Sequence, residues 1–199
     1  LPIDACTFQG SPWKVQIGEA TLDDDGARGR CAMGEHSIEW QLQLHGGDDR
    51  PLLLLPRLLY ETPLPKAKAL VPRPFVRFSG ELHIDGEPMA ISGWTGSQNH
   101  NWGERHTDRY AWGQVVGFDG FPDSFLEVST AQIDVAGRPT PWLTPIVLHH
   151  RGKRYAHNGL VRAARNLGLY DADTTGFPKN AAHPTWRFAS EAGGVQIHG

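Results

Sequence analysis

The sequence predicts an all-β protein built from antiparallel strands that form a sandwich or a barrel. Three observations lead to this fold class. The 23 Gly and 15 Pro residues punctuate the chain at short intervals, which is typical of sheet proteins with many turns. Several segments alternate apolar and polar residues with a period of two. Helical spacing is almost absent, so the apolar strand faces must be buried against other strands.

The clearest strand is SIEWQLQLH, residues 37–45, in which Ile, Trp and Leu fall on one face and Glu and Gln on the other. The segment FVRFSGELHI, residues 75–84, alternates in the same way, and the DGE that follows predicts a hairpin turn into PMAISGW. Further strands are predicted at WKVQIGEATL, YAWGQVVGF, SFLEVSTAQIDV, TPIVLHH and WRFASEAGGVQIHG.

Two segments depart from this pattern. Residues 159–168 place Leu160, Ala163, Ala164 and Leu167 at helical spacing, which predicts at most one short helix. Residues 56–75 contain five Pro, and this composition predicts either a long extended connection or a rim or lid over a pocket.

Composition limits the classes of partner. A formal net charge of −3 and a pI near 6.4 provide no basic surface for phosphates, so we expect no nucleic-acid partner. The longest apolar run has only four residues, LLLL, which predicts no transmembrane segment. We therefore expect a soluble, cytoplasmic protein, with peripheral membrane association or export as alternatives. Cys6 and Cys31 could form a disulfide or remain two small buried thiols.

The aromatic run GWTGSQNHNWGERHTDRYAWGQ, residues 93–114, holds three of the seven Trp and two of the ten His residues. Eight of the polar and aromatic side chains between residues 100 and 114 occupy even positions, so any extended part of the run projects them to one side, with Gly103 expected to break the strand. Such a face is typical of a pocket wall. These even-numbered residues are His100, Trp102, Glu104, His106, Asp108, Tyr110, Trp112 and Gln114.

Three interpretations of the aromatic run compete. A carboxyl such as Glu104, or an imidazole such as His100, could act as a general acid when held against Trp102. His100, Glu104 and His106 are ligand types for zinc or iron, but their spacing matches no known local geometry, and we expect no metal and no cofactor. In the structural interpretation, Asn99 and Asn101 satisfy a turn and the Trp residues only fill a core.

The segments LYETPLPKAKALVPRPFVRFSGEL and GWTGSQNHNWGERHTDRYAWGQVVGFD together resemble the AttH-like and hydroxyneurosporene synthase (carotenoid 1,2-hydratase) group. This lipocalin-like superfamily also includes tocopherol cyclase and certain Diels–Alderases. The resemblance implies a lipocalin-like barrel over residues 1–180. It also implies that residues 181–199 begin a second barrel, with which the first could pair. The matching positions are His100, Asn101, Trp102 and Gly103, with Asn99 where the group often has Asp.

The resemblance implies a hydrophobic small-molecule ligand, isoprenoid or polyketide-like, and acid catalysis of hydration, isomerisation or cyclisation of an alkene. Because an Asn amide has no transferable proton, the acid must come from another residue. We expect His100 and Glu104 to handle the proton and Trp102 and Trp112 to flank a carbocation. The alternatives are a non-catalytic carrier of a lipid-like ligand and a structural module with an aromatic core.

The predicted site falls into two sets. The candidate catalytic residues are His100, Glu104, His106 and Tyr110. The candidate substrate-binding residues are Trp94, Asn99, Asn101, Trp102, Trp112 and Gln114.

Overall fold

The computed structural model describes residues 6–46, 50–104, 106–107, 109–135, 137–171 and 185–199. This part of the chain is mostly antiparallel β-sheet with one short α-helix, which confirms the predicted fold class at that level. By its internal contacts the chain divides into two compact units. The first unit comprises Leu1–Asp49 and Phe75–Gln98, and the second comprises Arg50–Pro74 and Asn99–Gly199. The predicted boundary between residues 180 and 181 lies outside the described residues.

The first unit is built on a seven-stranded sheet in which consecutive strands are neighbours. Its strands are β1 (Cys6–Gly10), β2 (Trp13–Ile17), β3 (Ala20–Asp23), β4 (Gly26–Met33), β5 (His36–His45), β6 (Ala67–Ile84) and β7 (Glu87–Gly103). Strands β6 and β7 are long, and each contributes residues to both units.

The alternation predicted for residues 37–45 is confirmed in β5, where the even-numbered apolar side chains are buried or half-buried and the intervening Glu and Gln are exposed. The DGE hairpin is also confirmed, because Asp85 and Gly86 both have positive φ, 52° and 87°, as a two-residue turn between antiparallel strands requires. Cys6 and Cys31 are not bridged to each other, and Cys31 is exposed on β4. The expectation of two buried thiols is therefore wrong for Cys31.

The second unit contains a four-stranded sheet in the order β13-β12-β9-β8, a three-stranded sheet in the order β14-β15-β16, and the short ribbon β10-β11. Its remaining strands are β8 (Arg109–Phe118), β9 (Phe121–Gln132), β10 (Asp134–Val135), β11 (Arg138–Pro139), β12 (Ile146–His150), β13 (Lys153–His157), β14 (Leu167–Asp171), β15 (Thr185–Ala192) and β16 (Val195–His198). Helix α1 (Leu160–Arg165) confirms the predicted short helix.

Strand β9 lies at the centre of the second unit, and both of its faces are covered. One face packs against the three-stranded sheet, in a cluster formed by Leu126, Val128, Ile146 and Ile197 with Trp186 and Phe188. The other face packs against the segment before β6, in a cluster formed by Leu52, Leu54, Val71, Phe125 and Val147. A polar group in the stretch 124–128 of β9 is therefore removed from water whichever way it points.

The Pro-rich segment is more ordered than an extended connection. It contains a 3-10 helix, Arg57–Tyr60, and from Ala67 onward it is already part of β6. An isolated bridge joins Leu52 to Val71. No helix in the described part of the chain is long and apolar enough to cross a membrane.

Candidate functional site

The second unit contains a cavity of about 480 Å³ that is open to solvent on one side. The end of β7, strands β8 and β9, and the Pro-rich segment supply its wall, so the interpretation of that segment as the rim of a pocket fits the structure. Its apolar and aromatic lining consists of Leu54, Leu55, Pro65, Ala67, Ala69, Trp102, Tyr110, Trp112, Ala131, Ile133, Leu143 and Pro145. Its other lining residues are Lys68, Asn101, Gly103, Glu104, His106, Thr107 and Ser129.

Local backbone geometry brings the end of β7 to this wall. Gly103 has a φ of 151°, and a Cβ at this position would collide with the backbone carbonyl of Lys66. The strand ends here, as predicted, and the next backbone N–H, that of Glu104, donates to the same carbonyl at 3.1 Å. Gly103 is therefore required for the close approach of β7 to the Pro-rich segment.

The Trp102 ring lies between two other rings. It stacks on the His100 imidazole, with centroids 5.2 Å apart and an interplanar angle of 19°, and it tilts against the Tyr60 ring at 6.0 Å. The Tyr60 hydroxyl donates to the Ala69 carbonyl at 2.7 Å and accepts from the Leu55 N–H at 3.3 Å. Burial raises the pKa of this hydroxyl above its usual value. Tyr60 thus joins the segment before β6 to the edge of the cavity.

Six of the ten predicted site residues line the cavity together, and four do not. The six are Glu104, His106, Tyr110, Asn101, Trp102 and Trp112. Among the others, His100 stacks on Trp102, which lines the wall. The side-chain amides of Asn99 and Gln114 donate to each other's oxygen, at 2.8 and 3.3 Å. Trp94 belongs to the first unit, where its side chain is 53% exposed.

Glu104 is poorly suited to donate a proton. Its side chain is 75% exposed, and its Oε2 lies 2.7 Å from Nζ of Lys66. Exposure and a neighbouring cation both favour the charged carboxylate over the acid. The proton-handling pair of Glu104 and His100 stays a prediction, and a buried carboxyl would be better suited to the role of acid.

A different carboxyl, Glu127 on β9, has the properties expected of an acid. The residue is 1% exposed, and the indole Nε1–H of Trp112 donates to its Oε1 at 3.1 Å. Its Oε2 is buried and has no hydrogen-bond partner among the described residues. Burial raises the pKa of this carboxyl to about 7, although hydrogen bonds from Trp112 and Gln114 oppose the shift.

Two of the candidate residues that do not line the cavity, Asn99 and Gln114, connect to this carboxyl. Gln114 lies directly opposite Glu127 in the β8–β9 ladder, and its amide also bonds to Asn99. Asn99, Gln114, Glu127 and Trp112 therefore form one chain of polar contacts that ends at the cavity wall. We call these four residues the Glu127 network.

Sequence reasoning missed Glu127 because it concentrated on residues 93–114. The sequence did contain one indication. In SFLEVSTAQIDV, Glu127 lies two residues after Phe125, so the two side chains point to the same face of the strand. Alternation alone could not tell whether that face is buried.

Comparison of the chain with protein-family models, with curated proteins and with solved structures finds no match.

Metal binding depends on whether ionisable side chains of the described ranges converge on one point. No group of three or more His, Cys, Asp or Glu side chains comes together there in a way that could hold a metal ion. His100, Glu104 and His106, the possible ligands of the aromatic run, are therefore not assembled into such a site.

Proposed function

We propose that this protein binds an apolar small molecule in the cavity of its second unit. The observation that carries the proposal is the composition of the wall: an aliphatic lining closed on one side by Trp102, Tyr110 and Trp112, with few polar groups. Cavities of this size and character are typical small-molecule sites. The resemblance to the AttH-like and hydroxyneurosporene synthase group leads us to propose an isoprenoid or polyketide-like ligand and a lipocalin-like barrel.

The proposal is tested by titrating the purified protein with farnesol and following Trp fluorescence, because two Trp residues belong to the wall. We expect saturable quenching and a higher melting temperature. An Ala131→Phe variant fills the cavity from β9 and should lose the quenching. The control, Trp94→Phe, removes a Trp of the first unit and should keep the affinity for farnesol. Equal farnesol responses from wild type and Ala131→Phe would exclude this cavity as the binding site.

A second candidate function, acid catalysis on an alkene, is favoured by the position of Glu127. Its carboxyl is separated from the cavity only by the indole of Trp112, to which it is hydrogen-bonded. With a pKa of about 7, a large fraction of the Glu127 carboxyl is the neutral acid at physiological pH. We propose that rotation of the Trp112 side chain gives the acid access to bound ligand.

The proton balance of such a step is simple. The O–H bond of the Glu127 acid breaks, a C–H bond forms at one alkene carbon, and a carbocation and a carboxylate result. Addition of water, or loss of a neighbouring proton, then returns a proton to the carboxylate. Trp102 and Trp112 would stabilise the cation by cation–π contact, which is worth roughly 0.5 to 2 kcal/mol per ring.

Deuterium incorporation tests the catalytic candidate. Farnesol is incubated with the protein in D₂O, and deuterium bound to carbon is measured by mass spectrometry. We expect incorporation that falls as the pH rises through about 7, because the acid form of Glu127 is then lost. Glu127→Gln should abolish incorporation and keep farnesol binding, whereas incorporation should persist in Glu104→Gln. Equal incorporation by wild type and Glu127→Gln would rule out Glu127 as the acid.

A further inference from the structure

Three charged or ionisable side chains other than Tyr110 line the cavity: Lys68, Glu104 and His106. Glu104 is already neutralised by Lys66, with 2.7 Å between Nζ and Oε2. Lys68 is different, because the structure records no carboxylate within ion-pair distance of its ammonium among the described residues. Among the described residues, Lys68 is therefore a half-buried positive charge of the cavity wall with no carboxylate at ion-pair distance.

The Lys68 ammonium is nevertheless held in place. Its Nζ donates to the backbone carbonyl of Tyr60 at 3.3 Å and to that of Thr62. The Thr62 hydroxyl in turn bonds to the carbonyls of Leu59 and Leu64. Two of the three N–H donors of the ammonium are thus used to position it at the end of the 3-10 helix, and one remains.

Neutral carbonyls orient an ammonium but do not cancel its charge, and a partly buried cation is stabilised further by an anion. We infer that the ligand of this cavity is an amphipathic anion, whose carboxylate or phosphate head group binds Lys68 and whose apolar body lies along the aliphatic and aromatic wall. This inference rests on the proposed binding function and specifies the chemical class of the ligand.

The test compares ligands that share a chain and differ in the head group. Dodecanoic acid, dodecyl phosphate and 1-dodecanol are titrated at pH 8, below their aggregation concentrations, with Trp fluorescence as readout. A charge-assisted hydrogen bond predicts that the anions bind roughly tenfold to a hundredfold more tightly than the alcohol. The preference should decrease in 0.5 M NaCl, because salt screens the attraction. The tighter of the two anions identifies the head group.

Lysine substitutions test whether Lys68 causes the tighter binding of the anions. Lys68→Met should bring the anions down to the affinity of the alcohol, and Lys68→Arg, which keeps the charge, should retain a preference. The control is Lys153→Met, which removes an exposed lysine of β13 outside the cavity wall. It should bind all three ligands as the wild type does. Far-UV circular dichroism checks that each variant is folded.

The outcomes separate this inference from the proposed function. If wild type binds dodecanol and the anions equally, the cavity binds apolar ligands but the anionic class is wrong. If none of the three ligands binds, both proposals are overturned. Should Lys68→Met fail to fold, the wild-type comparison of head groups and its salt dependence still decide the question.

Discussion

Trp112 and Glu127 form a hydrogen bond across the wall of the cavity. The indole Nε1–H donates to Oε1 of the carboxyl at 3.1 Å, while the ring of Trp112 is itself part of the wall. A carboxyl that is almost fully buried is thus one side chain away from the cavity. Two of the following predictions concern this pair.

Glu127 should make the second unit less stable as the pH rises. Its pKa is about 7 in the folded protein and 4.5 in the reference state, so the folded state binds more protons than the unfolded state between these values. The free energy of unfolding then falls from pH 4.5 to 7, by about 3 kcal/mol for a shift of this size. Urea unfolding of wild type and Glu127→Gln across this range measures the difference. The variant should lack this part of the pH dependence, and parallel curves would contradict the prediction.

Trp112→Phe should raise the pKa of Glu127 further. The substitution removes a hydrogen bond that favours the carboxylate, and such a bond corresponds to roughly one pH unit in the titration midpoint. Carbon-detected NMR of the Glu side-chain carboxyls, assigned with Glu127→Gln, follows the midpoint directly. A lower midpoint in Trp112→Phe would mean that water entering beside the smaller ring outweighs the lost hydrogen bond.

Gly103→Ala should disrupt the end of β7. The positive φ of 151° disfavours a side chain, and the added Cβ would meet the rigid carbonyl of Lys66. We expect a loss of roughly 1–3 kcal/mol in stability, together with weaker farnesol binding. Gly10→Ala is the control, since its Cβ has nothing within 4 Å. Melting temperatures of the two variants test this, and similar values for both would refute the steric argument.

Phe125→Ala should destabilise the second unit strongly. Phe125 is among the largest fully buried side chains and packs with Leu52, Leu54, Val71 and Val147. Its removal leaves a cavity whose cost is roughly 3–5 kcal/mol. Phe8→Ala, at a residue of β1 that is 68% exposed, should change the free energy of unfolding by less than about 0.5 kcal/mol. Denaturant titration compares the two substitutions.

Local rules predicted the strands and the helix because these elements depend on residues close in sequence. Period-two alternation located β5, the DGE turn located the β6–β7 hairpin, and helical spacing located α1. The same rules pointed to the aromatic run, and six of the ten candidate site residues in it line the cavity. Parity failed for His100, which shares a strand face with Trp102 but reaches the wall only through that ring.

What the sequence by itself determined is the class of structure and the region in which to search: antiparallel strands, one short helix, and an aromatic run of mixed polarity. Only the tertiary structure decided which carboxyl has a raised pKa and which lysine of the cavity wall has no carboxylate partner among the described residues. Glu104 and Glu127 are the same residue type, and both lie in or beside strands. Their surroundings differ: solvent and Lys66 surround the carboxylate of Glu104, whereas packed layers exclude water from Glu127 and raise its pKa. That exclusion depends on residues far apart in the chain.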